Sequence, residues 1–460
     1  MRSLLTNNSC LLVVVDRPHS NEEGISDDDP LKFEGVWFGE VRYAMHKHRS
    51  LTVANTGQVP ATVYFIDRPV GPGQHPGTSP SWVSMKIDDG TGKLSSDLSK
   101  RTLEPGQAFN VELELRILDV SLARQFNEGI KSMEDILVLR VENGRDHFIP
   151  LRGTWLESSL GHSISKLIRI PEGGIRKLQR QRPDSSKSTA SAGSAIDDET
   201  PVKWSAPREL FRLTEVIEEL TIRVTAEWGM LHDPSTQPPP WERFAGWPFV
   251  PQSWTCKDDK ERHDRLADIV EALDTDVSFD SVFPSDISHI EKLESLAEFF
   301  IMFLSAMDQG IVTKEIWTQL DAGLIKQEKS KLPQSAEEQR TWAQEILSSA
   351  PSHSISFILI TSMLDRIISE TITAITHNHP ALLTKCPPPA TFLVTTPQNL
   401  RKKNWAKDGK EAWRQGVGRA LASTFYGAMI RGGEEEEGQK DKEKAAGRER
   451  KVRFLELFLL

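Results

Sequence analysis

Phe109, Val111, Leu113, Leu115 and Ile117 alternate with Asn110, Glu112, Glu114 and Arg116. A period of two marks a half-buried strand, with one face in a core and the other in water. Ile136 to Leu139 is a continuous aliphatic run, which predicts a strand lying deep in a sandwich. Turn residues separate such runs: Asn55-Thr56-Gly57, Pro72-Gly73, Asp89-Gly90, Pro105-Gly106 and Asn143-Gly144. Asn143-Gly144 sits between Leu139–Val141 and His147–Ile149, and both of its residues tolerate positive φ, so a hairpin is expected there. Short strands at this spacing from about residue 31 to 155, with no helical pattern between them, predict a β-sandwich.

The period changes from Ser205 onward. Leu210, Leu213, Ile217, Leu220 and Val224 step by three and four along one face of a helix. Ser205 is the candidate cap, with Pro207 in the first turn. Leu293, Leu296, Phe300, Phe303 and Met307 repeat the pattern, as do Ile355, Ile358, Leu359, Ser362 and Ile367. Pro238 to Trp254 is rich in proline and tryptophan and cannot be continuous helix. This half is expected to be all-α. Between the halves, residues 179–203 are rich in Ser, Arg, Lys, Asp and Ala, the composition of a linker. Residues 432–451 are of mixed charge and are expected to be poorly ordered, with a short apolar end at Phe454 to Leu460.

Composition narrows the class. The 460 residues suffice for two cores, and 38% hydrophobic with 27% charged residues is ordinary for globular protein. A net charge of −10 argues against nucleic acid as the main partner, since phosphate binding needs a basic stripe. Three cysteines, Cys10, Cys256 and Cys386, support neither a disulfide framework nor a zinc site. No apolar run approaches a membrane span, and Met1 to Leu5 lacks the make-up of a signal peptide. The expected location is cytoplasmic.

Few constellations suggest chemistry. His46 with His48, and His377 with His379, lack the further ligands a closed metal site needs. Cys256 has no adjacent His to activate it, and Gly173-Gly174 is a turn rather than a phosphate cradle. Neither a metal nor a cofactor is expected. Lys166, Arg169, Arg176, Lys177, Arg180 and Arg182 form a basic cluster, either a solvated linker or a footing on an anionic membrane. Arg401-Lys402-Lys403 beside Trp405 could act likewise, against the acidic run Glu434 to Glu437.

Two segments are specific. One is Asn55-Thr56-Gly57-Gln58-Val59-Pro60-Ala61 followed by Phe65-Ile66. The other is Glu134-Asp135-Ile136-Leu137-Val138-Leu139 with Gly144-Arg145-Asp146-His147-Phe148-Ile149. They resemble the ASH domain of the OCRL-type inositol polyphosphate 5-phosphatases, and Gly153 with Ser158-Ser159-Leu160-Gly161 fits its end. The resemblance implies an immunoglobulin-like sandwich followed by a RhoGAP-like helical domain. Ala206-Pro207-Arg208-Glu209-Leu210-Phe211-Arg212-Leu213 looks like the opening helix of that domain. Ser295-Leu296-Ala297-Glu298 with Phe303-Leu304 and Ile311-Val312 looks like a middle helix, and Leu421-Ala422, Phe425 and Arg431 like a late one. The expected organisation is an extension over 1–30, the sandwich over 31–162, a linker over 163–203, helices over 204–432 and a charged tail over 433–460.

The resemblance also sets the functional expectation. None of the 5-phosphatase motifs is found, so the chain is either a shortened family member or a fragment of a phosphatidylinositol 4,5-bisphosphate 5-phosphatase. A RhoGAP accelerates GTP hydrolysis with an arginine in a Gly-x-aromatic-Arg-x-x-Gly loop, because a planar cation stabilises the transferring phosphoryl group. That motif is absent. Arg212 follows an aromatic but lies on the first helix and is expected to be solvated. Arg243, with Trp241 before it and Gly246 after it, is the nearest imitation of a finger. Where active members carry Lys, Arg and Asn, this chain has Ile301, Ser305 and Ala428. The expectation is therefore a non-catalytic adaptor at endosome and Golgi membranes, with an active Rho GTPase activator as the alternative. By resemblance it binds a Rab GTPase through a sandwich edge strand at Asp146, His147, Phe148 and Ile149, the alternative being that Phe148 is an inward core residue. Rho or Arf GTPases and endocytic adaptor peptides would bind the helical half.

Overall fold

In the computed structural model, the structure describes residues 11–15, 35–68, 77–88, 94–181, 204–232, 238–329, 335–378, 409–432 and 441–459. Cys10, Cys386, His379, Arg401-Lys402-Lys403, Trp405, Arg182 and Glu434 to Glu437 lie outside these residues, as does most of the expected linker. The chain divides into two compact units at Ser158/Ser159.

The first unit is a sandwich. Its strands are β1 (Leu11–Val15), β2 (Val36–Val41), β3 (Lys47–Asn55), β4 (Ala61–Phe65) and β5 (Val83–Asp88). They continue with β6 (Leu94–Ser95), β7 (Arg101–Leu103), β8 (Ala108–Leu115), β9 (Glu134–Val141) and β10 (Asp146–Trp155). One sheet has the order β1-β3-β8-β5-β6 and the other β2-β10-β9-β4-β7. Alternation fills the core: Leu51 and Val53 from β3, Val111, Leu113 and Leu115 from β8, and Leu137 and Leu139 from β9 are buried. The Asn143-Gly144 hairpin forms, with Asn143 at φ 58° and the Gly144 N–H donated to the Val141 carbonyl at 2.9 Å.

Three differences from the sequence reading stand out. Ile136 is not deep in the sandwich but 49% exposed, because β9 alternates and Leu137, Leu139 and Val141 are the residues that face inward. A helix, α1 (Val120–Asn127), intervenes between β8 and β9, capped by the Asp119 carboxylate accepting the Ser121 N–H at 2.8 Å. The extension expected over 1–30 contributes a strand, β1, which pairs antiparallel with β3 from Leu11↔Asn55 to Val15↔Leu51.

The second unit is helical. It contains α2 (Ile164–Leu167), α3 (Gly174–Gln181), α4 (Arg208–Leu231), α5 (Pro240–Arg243), α6 (Asp259–Thr275) and α7 (His289–Ala306). These are followed by α8 (Lys314–Lys329), α9 (Ala336–Leu347), α10 (Pro351–Asn378), α11 (Gly409–Met429) and α12 (Asp441–Leu459). The predicted stripes of α4 and α7 are buried, and Ser288 with Glu291 forms a capping box on α7. Ser205 does not cap α4; the helix starts at Arg208 with Pro207 at the cap position, whose ring carries no acceptor for the free N–H groups.

Residues 159–181, expected as the sandwich end and linker, fold instead with the helical unit. The reason is chemical. Arg176 is buried and paired with Glu271 at 2.7 Å, Ile175 is buried, and Gly174 at φ +72° approaches Asp274 too closely for any Cβ. The stretch Pro238–Trp254 is not continuous helix, as expected, and it is core: Trp241, Trp247, Phe249 and Trp254 are buried. Phe249 meets Phe425 edge-on at 4.8 Å. The expected charged tail is α12, whose Val452, Phe454, Leu455 and Leu459 are buried, with Arg419 bridging to Glu449 and Glu456.

Candidate protein-docking surface

The hairpin of β9 and β10 brings the four predicted contact residues to one corner of the sandwich. Asp146 to Arg152 pair with Arg140 to Glu134 of β9, whereas β2 joins β10 only from Leu151. Asp146 to Pro150 therefore have a strand on one side and, among the described residues, none on the other. β10 is an edge only along this half, since its second half lies between β9 and β2.

Strand alternation says which groups that open side presents. The Val138 carbonyl accepts the Ile66 N–H at 2.9 Å, so the even-numbered residues of β9 turn their backbone toward β4 and the odd-numbered ones toward β10. His147 and Ile149, opposite Leu139 and Leu137, bond to β9. Phe148 and Pro150 turn their backbone outward. Proline has no N–H to leave unpaired there, which suits an edge.

Side chains divide the same four residues. Ile149 is buried, so it is a core residue and offers no contact surface. Phe148 is 66% exposed, which settles its place outside the core. It stands opposite Val138, one row from exposed Ile136 opposite Pro150. Asp146 closes the row beyond, bound by both arms of Arg140 at 2.7 Å. That guanidinium holds the Asp146 carboxyl below its usual range. Burial lowers the His147 imidazole below its ordinary value, Arg145 adds to this, and Asp146 opposes it. Phe148 and Ile136 thus form an exposed apolar stripe with the Arg140–Asp146 ion pair on its flank.

The helical candidates are scattered. Arg243 is exposed at the end of α5, before the buried Trp247–Phe249 turn. Arg212 is not a solvated residue. It donates to the Ala272 and Val277 carbonyls at the end of α6, pairs with Asp276 at 3.2 Å and lies over the Phe279 ring at 4.8 Å. A cation with a fork of donors suits a helix C-terminus. Ile301 is half-buried, Ser305 exposed and Ala428 buried. The sequence did not single out Arg431 as a structural clamp, yet its guanidinium donates to the Leu304 and Ser305 carbonyls of α7, to Met307 just past its end, and to Gly427 and Ala428 of α11.

The remaining candidates are bland. Arg176 leaves the basic cluster by being buried. His48 pairs with Glu112 at 2.5 Å, and no group of three or more metal-ligating side chains occurs among the described residues. The Cys256 thiol is raised, chiefly by burial, and lies 3.5 Å from Glu261. No described helix is long and apolar enough to cross a membrane.

These features define the first unit as a β-sandwich with an exposed apolar sheet face beside a half-open edge. Residues 31–155 match the family model described as inositol polyphosphate 5-phosphatase OCRL-like, ASH domain. That segment is an OCRL-type ASH domain. Over 135 residues, 29% of this chain, it is 32% identical to the type II inositol 1,4,5-trisphosphate 5-phosphatase of Mus musculus. The chain spans 12% of the length of that relative.

Proposed function

We propose that the chain is a non-catalytic adaptor for small GTPases. The ASH sandwich holds an active Rab, and the helical unit, taken as a degenerate RhoGAP domain, holds a Rho or Arf type GTPase or an endocytic adaptor peptide. Its place of work is the cytoplasmic face of endosome and Golgi membranes. The observation that carries this reading is Phe148, an aromatic residue 66% exposed on a strand whose neighbouring edge is open among the described residues. An edge of unpaired backbone groups templates a partner's strand, and an exposed aromatic beside it supplies the anchor.

The test is titration calorimetry of the full chain against a panel of Rab GTPases loaded with GTP or GDP. At least one GTP-loaded Rab should bind, and Phe148→Asp should weaken it tenfold or more. Failure of every Rab to bind, or equal binding by Phe148→Asp, overturns the reading. A second reading, an active Rho GTPase activator, draws on the exposure of Arg243 on α5.

A further inference from the structure

Strand β1 differs from the rest of the sandwich. It lies outside residues 31–155, the part matched by the ASH model. It is aliphatic at all five positions, Leu11, Leu12, Val13, Val14 and Val15. Edge strands ordinarily carry charge or proline that discourages pairing with other chains, and β1 carries neither. Residues 16–35 join it to β2. At about 3.3 Å per residue, such a connection can reach roughly 65 Å.

The ladder that holds β1 is short. Asn55 spends its backbone on the side of β8, donating its N–H to Gln107 and accepting from Gly106 at 2.9 and 2.8 Å. By alternation Thr52 and Ala54 turn their backbone toward β1, opposite Val14 and Leu12. Leu11, Val13 and Val15 turn their own N–H and C=O groups away from β3. So two residue pairs carry the hydrogen bonds, and the acceptor edge is the stretch from Leu51 to Asn55, whose Leu51, Val53 and Asn55 are fully buried.

We propose that this β3 edge is an exchangeable strand site, filled in cis by Leu11–Val15 and in trans by the same segment of a second copy, which yields a strand-swapped dimer. The segment and its acceptor are present in every copy, so an exchange is self-complementary and needs no new surface. The number of residues in the connection is enough to span to its own edge or to a neighbour's. The choice between them is set by concentration.

The register supplies the test. Val14→Pro removes an N–H that faces β3, whereas Val13→Pro removes one that faces away. A labelled peptide of residues 9–17 should bind the full-length Val14→Pro chain at least tenfold more tightly than the wild type or Val13→Pro chain. In sedimentation equilibrium at millimolar concentration, where a second copy competes with the tethered strand, wild type and Val13→Pro should dimerise while Val14→Pro stays monomeric. Equal peptide affinity for the three chains, a wild type that is monomeric throughout, or a Val14→Pro dimer overturns the proposal. Should Val14→Pro fail to fold, hydrogen exchange on the wild type decides. The Thr52 and Ala54 amides should exchange faster than the Val53 amide and gain protection from excess peptide, and equal protection overturns the proposal.

Discussion

Ser159 donates both its backbone N–H and its hydroxyl to one carboxylate oxygen of Asp274, at 2.8 and 2.7 Å. Asp274 has no solvent exposure, and its other oxygen lies 3.6 Å from the buried guanidinium of Arg176. The carboxylate thus ties the segment 159–181 to α6. Removing one partner of a buried charged set leaves the others desolvated, which costs about 3–5 kcal/mol. Glu271 stays beside Arg176, so Asp274→Ala should fall at the lower end, and Asp274→Asn should cost less because the serine donors keep an acceptor. Urea unfolding followed by far-UV circular dichroism checks both.

Glu209, near the start of α4, is buried and its Oε2 lacks a hydrogen-bond partner among the described residues. Burial, with the charge of Asp274, pushes its carboxyl up to about 7 against Arg212 and Arg208. A carboxyl raised in the folded state contributes stability present below its unfolded value and lost as pH rises through the folded one. The wild type should therefore lose about 3 kcal/mol from this group between pH 4.5 and 7. Glu209→Gln, which cannot ionise, should remove that slope and be the more stable protein at pH 8. Denaturant midpoints at pH 5 and pH 8 measure the effect.

Much of this fold is legible in the chain, and the exceptions have physical causes. The period-two run of β8 and the Asn143-Gly144 turn each admit one local structure, and both form. In α10, the spacing of Ile355, Ile358, Leu359, Ser362 and Ile367 predicts a buried stripe, yet Ile355 and Ile358 are 40% and 45% exposed while Phe357, Ile360, Met363 and Leu364 are buried. Apolar residues occupy more than one face of that helix, so periodicity alone leaves its phase open. Charge hid α12, because Arg450 and Arg419 spend their charges on Asp321, Glu449 and Glu456 rather than on solvent. Of the docking surface, Phe148 was legible only as one of two orientations, since a strand's pattern does not say which face lacks a cover.

Arg431 reaches carbonyls at the ends of both α7 and α11, the shortest contact being 2.7 Å to Ser305. Helix C-termini leave carbonyls without partners, and hydrogen bonds from a charged donor contribute about 1.5–3 kcal/mol. Arg431→Met should lower stability by about 2 kcal/mol. Arg431→Lys should recover only part, because an ammonium lacks the planar fork that spans two helix ends. Thermal melting of the three proteins should rank wild type above Arg431→Lys above Arg431→Met.

An adaptor and an activator differ in what they do to the rate of GTP hydrolysis. A GTPase-activating arginine in trans contributes roughly 10³ to 10⁵ in rate, through charge placed on the transferring phosphoryl group. Arg243 is exposed on α5, while Trp247 and Phe249 that follow are buried against other helices. If the helical unit is a RhoGAP-like domain, as proposed, Ile301, Ser305 and Ala428 stand where active members carry the bracing Lys, Arg and Asn, and none of the three has a charge or an amide. Positioning and charge act as a unit, so one arginine without its braces should recover little of the effect. Single-turnover GTP hydrolysis with excess full-length chain and several Rho-family GTPases should show at most a few-fold stimulation, unchanged by Arg243→Ala. A thousand-fold stimulation that Arg243→Ala abolishes would instead establish Arg243 as the finger and the chain as an enzyme.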